Sequence, residues 1–134
     1  MRWTILVCVL ALVGCSDRTA APIVPAALNY GLNKTVFIGT TRAVNDAGEF
    51  GIGRSTKLHL LEATVSIPPR RDLGSVADGY DKPKLDRDFA LAELGTFADR
   101  NGFAQRVAGE VAKSSTDRSE VTVFVHGFNN SFSD

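Results

Sequence analysis

An α/β fold is what this sequence predicts, and three stretches predict it in chain order. The segment HLLEATVSIPP alternates as a strand, the segment around Phe103–Val111 repeats as a helix, and Val121–Val125 is apolar except for Thr122. An apolar run without clean alternation suits a strand covered on both faces, as in a parallel sheet. Strand, helix and buried strand in succession are the pattern of an α/β sheet.

The first fifteen residues stand apart. MRWTILVCVLALVGC carries one early charge, Arg2, then an apolar run from Ile5 to Val13, then Gly14-Cys15. That run is far short of the ~20 residues that span a bilayer, but it has the size of a signal-peptide core. Leu12-Val13-Gly14-Cys15 resembles the lipobox of bacterial lipoproteins. The resemblance implies cleavage before Cys15, lipidation of Cys15, and attachment of an exported protein to the bacterial envelope. Residues 1–14 would leave as the signal, and Cys8 with them. Several acyl chains together would then anchor the chain firmly to the membrane. Ser16 and Asp17 after the cysteine leave the choice between inner and outer membrane open.

Residues 15–33 are small, polar and Pro-containing, and read as a flexible tether. Residues 34–134 form the expected folded portion. KTVFIGTTR, Lys34 to Arg42, has the β-branched and aromatic content of a strand, and NDAGEFGIG after it reads as a loop. Gly48, Gly51 and Gly53 lack the spacing of a dinucleotide fingerprint and read as turn residues. In the next strand Leu61, Ala63, Val65 and Ile67 share one face, while Glu62, Thr64 and Ser66 share the other. Pro68 and Pro69 end it, having no N–H to give to a ladder. A polar loop with Gly74, Gly79 and Pro83 leads to a shorter strand at about Phe89–Leu94. Phe103, Val107 and Val111, with Ala104 and Ala108 beside them, mark one face of a helix. Asp99 or Asn101 suits its N-cap and Lys113 its C-terminal end.

The charge balance, 15 basic against 15 acidic residues, provides no footprint for nucleic acid. No His, Cys or carboxylate cluster stands at metal-ligand spacing, and no cofactor is implied. Asp72, Asp78 and Asp81 share a polar loop without the spacing of an EF-hand. Arg70-Arg71 reads as a solvated pair, and Asn33-Lys34-Thr35 and Asn129-Asn130-Ser131 are chance matches to a glycosylation pattern.

The chemistry concentrates at VTVFVHGFNNSF. A buried strand stopping at His126-Gly127 would place both at the carboxyl edge of a sheet, where open α/β sheets bind ligands. Gly127 permits a sharp turn, and the Phe128 amide is a candidate donor to a developing oxyanion. This segment resembles the oxyanion loop of the α/β-hydrolase superfamily, and in particular a group of bacterial α/β-hydrolase-like proteins that includes many lipoproteins. VFIGTTR and VSIPP are similar to the early strands of that group. The resemblance covers roughly Thr35 to the end. It implies an oxyanion amide on Phe128, a loop shaped by His126 and Gly127, and Asn129 and Asn130 as loop-fixing residues.

The same resemblance implies an ester or acyl substrate and a serine nucleophile on a G-x-S-x-G elbow, followed by an acid and a late histidine. No G-x-S-x-G occurs in the sequence. His59 lies too early to be the late histidine, and Ser131 and Ser133 lie too close to the motif to be on an elbow. The expectation is therefore the N-terminal part of a longer hydrolase, with an α/β-hydrolase-type sheet incomplete in this chain. The alternative is a non-catalytic envelope lipoprotein that binds or scaffolds. A downstream elbow with its serine would favour the first, and an elbow without it the second.

Overall fold

A computed structural model describes residues 21–70, 82–113 and 120–126. Its centre is a three-stranded sheet of β1 (Leu32–Val44), β2 (Phe50–Ile67) and β3 (Ala90–Thr96), in the order β1-β2-β3. Both pairings are antiparallel. One helix, α1 (Arg100–Ala112), follows β3.

This corrects the parallel α/β expectation. Val121–Val125, the run on which a parallel sheet rested, belongs to no strand. Its valines and Phe124 are 60–84% exposed. An unbroken apolar run needs elements on both faces to become a buried strand, and nothing among the described residues supplies them. The strands that do form are consecutive in sequence. β1 and β2 are joined by only Asn45–Glu49, a length that permits an antiparallel return and no crossover.

The connection is built locally. Asn45 Oδ1 accepts from the backbone N–H groups of Ala47 (3.0 Å) and Glu49 (2.8 Å), and Asn45 Nδ2 donates to Glu49 Oε2 (3.1 Å). Gly48 takes φ +83°, the left-handed region that glycine enters without steric cost. Of the three glycines expected in a loop, Gly48 is in the turn, whereas Gly51 and Gly53 lie inside β2.

β2 is not straight. Phe50 and His59 would stand ~30 Å apart in an extended strand, yet their rings meet edge to face at 5.4 Å. The bend is written in the register. Thr40 pairs with His59, Arg42 with Arg54 and Val44 with Phe50, so β2 carries surplus residues at two irregularities. Extra residues on one strand of a pair bend it and increase its twist. Arg42 Nη1 holds the bent arm by donating to the Gly51 carbonyl at 3.2 Å. Phe50 is buried by the fold-back, at 7% exposure.

In the straighter half of β2 the expected alternation holds at Leu61 and Ala63, which are buried. Ser66, on the opposite face, is buried too, and its hydroxyl donates to the Ala27 carbonyl at 2.9 Å. Ala27 belongs to a 3-10 turn, Pro25–Asn29, that packs with Ala90 and Ala92 as a small core flanked by Leu28 and Leu85. Just before it Ile23 bridges Leu91, with Val24 N–H donating to the Leu91 carbonyl at 2.8 Å. Ordered structure thus begins before Lys34, inside the stretch expected to be a tether. The earlier residues of that stretch, 15–20, lie outside the described residues.

Asp99 caps α1, its Oδ1 accepting from Gly102 N–H at 2.8 Å. The helix meets the sheet through Phe103, Arg106, Val107, Glu110 and Val111, all half-buried, while Ala104 and Ala108 are exposed. The apolar face expected from the sequence is therefore rotated toward the Arg106 and Glu110 positions.

Two glycine substitutions separate packing from propensity. At Gly31 a Cβ would sit on the Ile67 carbonyl oxygen, with the Ser66 hydroxyl beside it. At Gly109, in the helix, it would meet nothing. Gly31→Ala is expected to lower the urea midpoint, and Gly109→Ala to raise stability by about 0.5–1 kcal/mol.

Candidate functional site

Of the residues assigned chemistry from the sequence, His126 is described and Cys15, Gly127, Phe128, Asn129 and Asn130 lie outside the described residues, as do Ser131 and Ser133. His126 is exposed at the end of the exposed run Val121–Val125. It lies on no strand edge, so the expected place of His126 at the carboxyl end of a sheet strand is also corrected. His59 is half-buried against Phe50 and takes part in packing the bend of β2.

The most organised polar cluster lies where α1 crosses the sheet. Arg106 Nη2 donates to Glu62 Oε1 at 2.5 Å, and Nη1 donates to Glu110 Oε2 at 2.7 Å. Lys113 Nζ reaches the same Glu110 oxygen at 3.1 Å. The guanidinium also stands 5.8 Å over the Phe37 ring. Phe103 meets Phe37 at 5.7 Å and Phe97 at 5.3 Å, both edge to face. Edge-to-face pairs and cation–π contact are favourable arrangements for these groups.

The cluster joins helix to sheet. With two carboxylates on its guanidinium, Arg106 is neutralised where it sits, which disfavours it as a receptor for an anionic substrate. Hydrogen bonds to Glu110 and then Glu62 raise the Arg106 pKa above its ordinary value. Those from Arg106 and then Lys113 hold the Glu110 carboxyl below its ordinary value. The sequence shows Arg106 and Glu110 at helical i,i+4 spacing. It cannot show Glu62, which reaches the pair only through the fold.

A second feature is a groove of about 320 Å³ between the incoming chain and the tip of the β1–β2 hairpin. Ala21, Pro22 and Ile23 line one side, and Ala47–Phe50 with Leu94 line the rest. Its one ionisable lining residue, Glu49, already accepts from Asn45. No group of three or more His, Cys, Asp or Glu side chains able to hold a metal occurs among the described residues. Nor is any described helix long and apolar enough to cross a membrane.

Compared with family models, curated proteins and solved structures, the chain matches none of them.

The Glu110 shift sets a sign for acid behaviour. A carboxyl held low in the folded state contributes stability above its unfolded value, and the contribution is lost as pH falls through the folded one. The melting-temperature difference between the unsubstituted protein and Glu110→Gln is therefore expected at neutral pH and should shrink below pH 4.5, the ordinary glutamate value. Thermal melts from pH 7 down to pH 3 measure it.

Proposed function

We propose that this chain is the N-terminal part of a lipid-anchored envelope hydrolase that acts on an ester or acyl substrate. Its serine, acid and late histidine would come from residues outside this sequence. The observation that carries the reading is the segment Val121–His126. Four large apolar side chains, 60–84% exposed, run directly into the histidine of the HGF motif. Contiguous apolar surface of this kind marks a site that another surface covers. Packing against further chain would bury the run. The Phe128 N–H would then stabilise the negative charge that forms on a carbonyl oxygen during acyl transfer. Cys15 would hold the enzyme at the envelope. The antiparallel meander serves as a flank to the site and contributes none of the reacting groups.

The first experiment extends the reading frame past codon 134 in the source strain and expresses both products. The longer product is expected to hydrolyse p-nitrophenyl butyrate, whereas the 134-residue chain alone turns over nothing. In the longer product Phe128→Pro removes the N–H donor and should lower kcat by about 10²–10³ with little change in KM. Labelled fatty acid is expected to enter the chain and to be lost in Cys15→Ser. Turnover by the short chain would sink the division of labour proposed here. A continuous frame with no serine elbow would leave the binding or scaffolding lipoprotein as the better reading.

A further inference from the structure

The groove at the hairpin tip bears on which end of the folded portion faces a bilayer. Six residue steps separate Cys15 from Ala21, the first residue lining the groove. A polypeptide spans at most ~3.6 Å per residue, so Ala21 cannot lie more than about 22 Å from Cys15. If Cys15 carries lipid in the membrane, as the proposed function holds, Ala21 is confined to the neighbourhood of the headgroups. Ala21, Pro22 and Ile23 share the groove with Ala47–Phe50, so the tip of the β1–β2 hairpin is confined with them.

The side chains at this end fit an interface. Ile23 is 51% exposed, Val44 42% and Ile52 72%. Ile23 and Phe50 line the groove, Val44 pairs with Phe50 across the hairpin, and Ile52 follows Phe50 by two residues. The charges nearby, Arg42 and Arg54 against Asp46 and Glu49, balance one another. Such a surface gains from apolar insertion and has no net charge to favour anionic headgroups.

We infer that the folded portion docks on the phospholipid bilayer by the tip of the β1–β2 hairpin, with Ile23, Val44 and Ile52 entering the interfacial zone. Leu94 lines the groove, so by strand alternation its neighbour Glu93, which accepts from Thr64, is on the other face of the sheet and away from the lipid. Docking rests on the lipoprotein reading of Cys15 and is separable from the proposed catalysis.

Tryptophan depth quenching tests it. The sequence has one tryptophan, Trp3, which leaves with the signal. Ile52→Trp and Glu93→Trp therefore each provide a single reporter in the mature lipidated protein, purified from membranes and reconstituted in phosphatidylcholine vesicles with acyl-chain-brominated lipid. Intact-mass measurement verifies the acyl chains on Cys15. The expected result is at least a twofold loss of fluorescence for Ile52→Trp, little loss for Glu93→Trp, and no change when a third of the lipid is phosphatidylglycerol. With Cys15 acylated, quenching of neither reporter, or of both alike, overturns the docking and leaves the lipoprotein reading intact. A quenching that requires phosphatidylglycerol overturns the apolar-insertion account. A mature chain without acyl groups on Cys15 overturns both, because the distance limit then no longer applies.

Discussion

The bend in β2 is the constraint from which the rest of the structure follows. Eighteen extended residues would make a strand of ~60 Å, far longer than three strands and one helix can cover. Surplus residues opposite Thr41 and Ala43 break the ladder twice, and the arm turns back until Phe50 meets His59. That return gives Phe50 a buried site and brings the turn residues Ala47–Glu49 against Ala21–Ile23. A straight hairpin would leave Phe50 in water. Arg42, reaching the Gly51 carbonyl, is the side chain that ties the two arms at the bend.

The sheet is then covered at two places by different means. Close to the Ser66 end, small side chains let the backbone approach. Ala27, Ala90 and Ala92 pack together, and the Ser66 hydroxyl satisfies a buried carbonyl of the 3-10 turn. Buried polar groups are tolerated when they are paired, and Ser66 meets that condition. At the helix, contact is made by large aromatic rings and by one arginine shared between two glutamates. Exposed ion pairs of this type contribute little by themselves. Here the pairs fix the rotation of α1 more than they hold it down, and Phe103 supplies the apolar contact.

Local signals were legible wherever one residue and its near neighbours decide the outcome. The alternation at Leu61 and Ala63, the stop at Pro68, the cap at Asp99 and the turn glycine at Gly48 all appear where periodicity and backbone preference put them. Signals that depend on distant partners were misread. Gly51 and Gly53 look like loop residues because glycine is common in turns, but a bent strand also uses them. Ala104 and Ala108 look like helix core, yet Arg106 and Glu110 take that side because Glu62 and Phe37 wait on the sheet.

By itself the sequence determined the strand segments within Lys34–Arg42, His59–Ile67 and about Phe89–Leu94, the helix around Phe103–Val111, and the stop at Pro68. Each depends on backbone preference or on side chains a few positions apart, which a linear reading contains. Only the tertiary structure decided the antiparallel order, the fold-back of Phe50 on His59, the partner of Arg106 and the exposure of Val121–Val125. Direction of pairing and burial are properties of what stands opposite a segment. The same five residues read as a core strand when a covering surface is assumed, and stand open to water when the described residues provide none.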